Sequence, residues 1–283
     1  RDLHSFPTRR SSDLLALDEM SLPLLTLRAQ ACQGQGDALL LQGEFAPALT
    51  AFEQAATVAA LPLTALSLRL GVALAANGRG EEAMQQVQAA EQPEDLAWLI
   101  ARTWLAWRFS APDLAGWLAK SRALLPEGGA PHPLRALLDD FAGDYDLARS
   151  AYRTLRLDLA AALVAVRFGD ALLAEDDPGL ALDRYQEAKT IFAVEKEVCG
   201  LALTAYRCAE AHWRAGQAES AQAALQEALG LLPGCPPSVF AEGRDLVRQA
   251  LRRVQAAATT RWPQWRWLAF DDLLRIRLFF KPN

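Results

Sequence analysis

The chain has 283 residues, of which 52% are hydrophobic and 22% charged, and its formal net charge at pH 7 is −5. Together with a mean hydropathy of +0.02, these values exclude a disordered chain, a collagen-like fibre and a strongly basic nucleic-acid coat protein. The nearest approach to a membrane span of roughly 18 apolar residues, Leu155–Ala174, contains four charged side chains. We therefore expect a soluble protein, folded either as two domains or as one extended array.

The first fourteen residues, RDLHSFPTRRSSDL, resemble the translation of a widely used DNA-sequencing adaptor, and the chain begins without methionine. We interpret residues 1–14 as a non-native segment, with a native polar tail as the alternative. Such a segment is left out of fold prediction. The native N-terminus is then not in view, which leaves open an upstream effector domain.

A pattern of small and large residues recurs along the chain with a period near 34 residues. In the first copy, Gly36 is followed by a turn at Gly43 and then by a small, a large and a small residue at Ala48, Phe52 and Ala55. Spacings of four and three place these residues on one helix face, where a small residue lets a neighbouring helix approach closely. The pattern predicts helical hairpins that stack, because one hairpin cannot bury its own apolar flank. The turns are predicted at residues 43, 78, 109, 143, 176 and 216, with left-handed glycines at 43, 78, 143 and 216.

The repeated unit resembles the tetratricopeptide repeat (TPR) family over roughly Arg28–Pro233, although the large first-helix residues of that family are mostly replaced by smaller ones. The resemblance implies an all-α, right-handed superhelical solenoid of about six repeats in residues 15–235. It also implies a non-catalytic scaffold that binds a protein partner. The abundance of alanine and arginine suggests a bacterial source, and the long last interval is similar to repeats of bacterial signalling and regulatory proteins.

Residues 236–283 are predicted to form a C-terminal cap with a basic, tryptophan-rich segment. Ser238–Ala258 has the pattern of an amphipathic helix with Ser238 as its N-cap. Residues 240–283 contain nine Arg and Lys against four Asp and Glu, a net charge of +5. Because a terminal repeat needs a cap, we favour aromatic side chains that cover the last repeat; nucleic acid, an anionic membrane surface and the acidic body of the protein are alternative contacts. The candidate residues of this basic and aromatic patch are Arg261, Trp262, Trp265, Arg266 and Trp267.

Few residues are candidates for catalysis or metal binding. His132 lies between two prolines and His212 within a predicted helix, and the chain contains no HExxH, GxSxG or Walker-type sequence. The four cysteines form no CxxC pair, which predicts buried, reduced core residues and a cytoplasmic location. We expect no catalytic residue, cofactor or metal, and an enzyme only if a lost N-terminal part supplies a catalytic domain.

In the TPR family, ligands usually lie along the first helices of successive repeats. The chaperone-binding version of the family holds a terminal carboxylate with Lys, Arg and Asn, which are absent from the corresponding positions here. Apolar and aromatic positions interrupted by acidic ones predict an apolar or basic peptide, or a partner helix; packing between repeats is the alternative for the aromatic residues. A regulator that contacts nucleic acid through the basic C-terminal segment is the alternative function. The predicted partner-binding residues are Asp37, Leu68, Val72, Thr103, Trp107, Leu137, Asp170, Tyr206, Glu210 and Trp213, and Asp140, Phe141 and Val166 occupy similar positions.

Overall fold

The computed structural model describes residues 11–58, 64–89, 96–126, 130–256, 262–263 and 271–272, with side chains described from residue 25 onward except at 58, 64–65, 97 and 238. Within these ranges the chain forms thirteen α-helices and a 3-10 turn, and no strand, which confirms the predicted all-α class. The helices are α1 (Ser11–Gln42), α2 (Phe45–Val58), α3 (Thr64–Ala76), α4 (Gly80–Ala89), α5 (Leu96–Arg108), α6 (Leu114–Ala123), α7 (Pro133–Ala142), α8 (Tyr145–Thr154), α9 (Asp158–Ala174), α10 (Pro178–Val194), α11 (Val198–Arg214), α12 (Ala218–Leu231) and α13 (Pro237–Gln255).

One type of turn ends eight of these helices. After α1, the N–H of Gly43 donates to the Leu40 carbonyl and the N–H of Glu44 donates to the Leu39 carbonyl, at 3.0 and 2.9 Å. These two bonds define the Schellman motif, in which the residue after the helix takes a left-handed conformation. The same pair of bonds ends α3, α5, α7, α8, α9, α10 and α11. The predicted left-handed glycines are confirmed, with φ from +76° to +88°, and the left-handed residues of the other four turns are Ser110, Arg156, Asp176 and Lys196.

Glycines allow close packing within successive helix pairs. A Cβ atom at Gly36 would lie 2.5 Å from the ring of Phe52, and one at Gly169 would lie 2.4 Å from the ring of Tyr185. Both rings are fully buried. The small residue of the first helix and the large residue of the second, both members of the repeated pattern, are therefore in direct contact within one helix pair. A side chain larger than glycine cannot fit there without a shift of the ring.

Each helix packs mainly against the helices before and after it in the chain. Helices two apart make far smaller contacts, and the largest of these join odd-numbered helices: α1 with α3, α3 with α5, α5 with α7, α9 with α11, and α11 with α13. The odd-numbered helices therefore lie closer together than the even-numbered helices do. Within the described residues the core is divided into three clusters, which lie between α1 and α7, between α7 and α9, and between α9 and α13 with Trp262.

The predictions for the last helix and for the cysteines can be compared with the structure. The helix predicted from Ser238 is present as α13, but it begins at Pro237 with Pro236 in the N-cap position, because proline is well suited to the first helical turn. Cys199 and Cys208 are buried as predicted, whereas Cys32 and Cys235 are half-buried, and all four are free thiols. Among the described helices, none combines the length and apolar character needed to cross a bilayer.

Candidate partner-binding surface

The helices α5, α7, α9 and α11 carry a connected group of aromatic and charged side chains. We call this surface the odd-helix face; its defining residues are Trp107, Arg108, Asp140, Phe141, Arg167, Tyr206 and Trp213. Four described residues from the end of the chain, Trp262, Pro263, Asp271 and Asp272, contact it, and we call them the C-terminal segment. The surface proposed from sequence for a partner is thus in contact with a part of the same chain.

Arg167 of α9 lies at the centre of the odd-helix face. Its Nη1 donates to both carboxylate oxygens of Asp140, at 3.0 and 2.9 Å, and its Nη2 donates to Oδ1 of Asp271 at 2.7 Å. The guanidinium carbon lies 4.1 Å from the ring centroid of Trp107, and that ring stacks on Phe141 at a centroid distance of 5.0 Å. A cation over an aromatic ring and a carboxylate on one nitrogen both orient the guanidinium. Arg167 is therefore held in place by α5 and α7 while its other nitrogen binds Asp271.

Arg108, the last residue of α5, binds the neighbouring carboxylate of the C-terminal segment. Its Nε and Nη2 donate to the two oxygens of Asp272, at 3.1 and 3.0 Å. The Arg108 side chain is 6% exposed and that of Asp272 is fully buried. Burial of an isolated charge is very unfavourable, and a two-bond arginine–carboxylate pair is among the geometries that can offset this cost. Two adjacent aspartates therefore bind two arginines from different helices.

An aromatic contact on α11 holds the beginning of the C-terminal segment. The Tyr206 hydroxyl donates a hydrogen bond to the carbonyl of Pro263. The ring of Trp262 lies 6.0 Å from that of Tyr206 and 6.3 Å from that of Trp213, between ring centroids. Burial raises the pKa of Tyr206 and thus favours the neutral hydroxyl, the form that donates this hydrogen bond. Along the C-terminal segment, successive contacts thus move from α11 to α9 and α5, opposite to the chain order of the helices.

The acidic residues predicted to attract a basic partner are already paired with arginines. Asp37 accepts from Arg69 at 2.8 Å, on the next odd-numbered helix. Asp170 lies 3.1 Å from Nε of Arg207, and Glu210 binds both Arg207 and Arg214 at 3.1 Å. In the structure the carboxylates of Asp37, Asp170 and Glu210 thus bind the chain's own arginines, which the prediction did not consider. Attraction of a basic partner to them stays a prediction.

Other predicted partner-binding residues are buried in the folded chain. Thr103 is fully buried, and its hydroxyl lies 2.8 Å from both the Leu99 carbonyl and the Ser121 hydroxyl. Val72 and Leu137 belong to the cluster between α1 and α7, against which the half-buried Leu68 also packs. In the structure Val72, Thr103 and Leu137 are therefore part of the packed core. Their role in partner contact stays a prediction.

Prediction from the sequence missed the arginines of the odd-helix face. Arg108 and Arg167 directly follow two of the positions assigned to the groove, Trp107 and Val166. One signal was available, because Arg69, Arg167 and Arg207 each lie nine residues before the left-handed residue that ends their helix. No comparable periodicity marks Arg108. Of the predicted basic and aromatic patch, Trp262 packs against side chains of α11. The other four residues, Arg261, Trp265, Arg266 and Trp267, lie outside the described residues.

The two histidines considered for catalysis make local contacts. His132 caps α7, where its Nδ1 accepts from the N–H of Leu134 at 3.2 Å. Nδ1 of His212 lies 2.7 Å from Oε1 of Gln217 in the turn after α11. Among the described residues, no group of three or more His, Cys, Asp or Glu side chains is arranged to hold a metal ion.

Comparison of the chain with protein-family models gives no match, and comparison with curated proteins gives no significant match. The resemblance to the TPR family therefore remains a prediction. We base the function on the odd-helix face and on the segment that binds it.

Proposed function

We propose that the chain is a TPR-like solenoid of six helical hairpins with a C-terminal cap, and that it acts as a non-catalytic module that binds a protein partner on the odd-helix face. Successive helices pair in order, and the Schellman turn recurs at the helix ends. Contacts between alternate helices join the odd-numbered ones, as expected when those helices line the inner side of a curved array. The repeat number and the curvature belong to this proposal.

One observation carries the proposed function: the odd-helix face binds a polypeptide segment. The contacts of Trp262 and Pro263 with α11 and of Asp271 and Asp272 with α9 and α5 combine aromatic packing, a hydrogen bond to backbone and ion pairs. Side chains of these kinds, and buried aromatic and arginine residues above all, dominate the energetics of protein interfaces. The odd-helix face therefore has the chemistry of a peptide-binding surface.

The alternative of a nucleic-acid contact receives less support. Base stacking on aromatic residues needs an accessible ring. Trp262, a member of the predicted basic and aromatic patch, is 6% exposed and lies against Tyr206 and Trp213. A protein partner is thus the better proposal for the described part of the chain.

Selection of peptides from a random library on the immobilised full chain tests this proposal. We expect the selected peptides to lose at least tenfold in affinity when Trp107 and Trp213 are changed to Ala. The matched control changes Leu147 and Leu180 to Ser, because these exposed residues lie on α8 and α10. Circular dichroism establishes that each variant keeps its helix content. The proposal fails if binding depends on Leu147 and Leu180 but not on the tryptophans. It also fails if no peptide is selected either on the unchanged chain or on a chain in which Asp272→Asn weakens the internal contact with Arg108.

A further inference from the structure

We infer that the C-terminal segment is an internal competitor for the odd-helix face, and that the external partner is a peptide with two adjacent carboxylates and a Trp-Pro pair. This inference rests on the proposed function, whose partner class it specifies. It also reverses the sign of the charge predicted from sequence, since the partner is acidic. The odd-helix face then has two alternative occupants, one within the chain and one outside it.

The charges at the centre of the odd-helix face favour an anionic ligand. Among the described side chains at this place, Arg108 and Arg167 supply two positive charges, and Asp140 of α7 supplies one negative charge. The Asp140 carboxylate binds Nη1 of Arg167, so Nη2 is directed to the ligand. When the two aspartates of the C-terminal segment leave, these three groups keep a positive balance and two arginines lose a carboxylate. A second pair of carboxylates is the chemistry that restores the contacts.

The geometry distinguishes paired side-chain carboxylates from a single negative charge. Asp271 and Asp272 are consecutive, and they bind arginines of two different helices. The Arg108 pair uses two nitrogens and both carboxylate oxygens, an arrangement that an amide cannot reproduce because it has one acceptor oxygen. We therefore expect a change from Asp to Asn in the ligand to remove most of the recognition.

A second contact joins the Trp-Pro pair of the C-terminal segment to α11. Its spacing from the two aspartates can be read from the sequence. Trp262 packs against Trp213, and the Pro263 carbonyl accepts from Tyr206. In the C-terminal segment the Trp-Pro pair precedes the two aspartates by nine positions. An external peptide that uses both anchors needs a similar spacing, with the Trp-Pro pair on the N-terminal side.

Competition follows from the covalent connection between the segment and the odd-helix face. A ligand on the same chain acts at a high effective concentration because its binding is intramolecular. An external peptide with the same contacts binds the intact chain weakly for that reason. Weakening the internal contacts, without altering the helices, should therefore strengthen binding of an external peptide.

The test uses two fluorescent peptides and the full-length chain. The acidic probe is WPQWRWLAFDDL, which copies residues 262–273, and the asparagine probe replaces both aspartates by asparagine. The chain is used unchanged, with Asp271→Asn and Asp272→Asn together, and with Asp272→Asn alone in case the double variant does not fold. Asp245→Asn is the matched control, because this exposed aspartate of α13 pairs with Arg244. Fluorescence anisotropy gives the dissociation constants.

We expect the acidic probe to bind the Asp271→Asn, Asp272→Asn chain at least tenfold more tightly than the unchanged chain. The Asp245→Asn control should bind this probe with the affinity of the unchanged chain. We expect the asparagine probe to bind at least tenfold more weakly than the acidic probe. Equal binding of both probes overturns the inference of acidic recognition and leaves the proposed function standing. Equal affinity of the unchanged and double-variant chains overturns internal competition. Failure of both probes to bind any folded variant counts against the proposed function itself.

Discussion

Arg108 and Asp272 are 164 positions apart in the sequence, yet they form a two-bond ion pair that is almost completely buried. The pair joins the end of α5 to the end of the chain. It is formed beside the pair between Arg167 and Asp271, which joins α9 to the same segment over 104 positions. These two contacts fix where the C-terminal segment crosses the odd-helix face.

Arg108→Gln is expected to lower the free energy of unfolding by about 3–5 kcal/mol, because it breaks a buried two-bond ion pair with Asp272. Urea denaturation followed by circular dichroism measures this change. Arg244→Gln is the control, since the pair between Arg244 and Asp245 is exposed and its loss should leave the unfolding midpoint unchanged. Equal midpoints for the two variants would contradict a buried Arg108 pair.

Gly169→Ala is expected to destabilise the fold by about 1–3 kcal/mol, because the added methyl group would lie 2.4 Å from the ring of Tyr185. Gly116 in α6 is the matched control: no atom lies within 4 Å of a Cβ built there. Gly116→Ala should therefore stabilise the protein by about 0.5–1 kcal/mol through helix propensity. Thermal unfolding of both variants checks the prediction, and a neutral Gly169→Ala would show that α9 and α10 are not packed at this distance.

Stability is expected to fall as the pH rises above about 10, the ordinary pKa of tyrosine. Burial raises the pKa of Tyr185 and Tyr206, and the nearby Asp170 carboxylate raises that of Tyr185 further. Because the folded pKa exceeds the unfolded one, the folded state favours the neutral phenol. This contribution is complete below the unfolded pKa and is lost as the pH rises toward the folded pKa. Unfolding free energies measured at pH 8 and in alkaline buffer test the direction, and Tyr185→Phe with Tyr206→Phe should flatten the dependence.

Thr103→Val is expected to cost about 1–3 kcal/mol, because the buried Ser121 hydroxyl loses its partner 2.8 Å away. Removing both hydroxyls in the Thr103→Val, Ser121→Ala variant should cost less than the sum of the two single changes. Urea denaturation of the three variants gives the comparison. Strict additivity would indicate that the two hydroxyls do not interact.

The parts of the fold that repeat along the chain could be predicted from sequence. Gly43, Gly78, Gly143 and Gly216 were recognisable because a left-handed helix end favours glycine at a fixed place in each unit. Small residues opposite large ones, such as Gly36 opposite Phe52, follow the same period. These features arise from interactions between residues close in sequence, which periodicity reports directly.

The charge pairing of the odd-helix face could not be predicted in the same way. The acidic residues Asp37, Asp170 and Glu210 suggested a basic partner. Their arginine partners were not recognised, because these pairs depend on how the helices pack; the partners are Arg69, Arg207 and Arg214. The net charge of +5 over residues 240–283 also obscured two aspartates within that stretch. Contacts over 104 and 164 positions leave no local pattern, so Arg108 and Arg167 were recognised only from the fold.

The central claim is that the acidic pair of the C-terminal segment binds the arginines of the odd-helix face. A double-mutant cycle on Arg108 and Asp272 tests it most directly, with Arg108→Gln, Asp272→Asn and the combination compared by urea denaturation. We predict a coupling free energy of about 1–3 kcal/mol, because each single change removes the same buried interaction. A coupling of zero, with costs of the single changes that simply add, would contradict the claim.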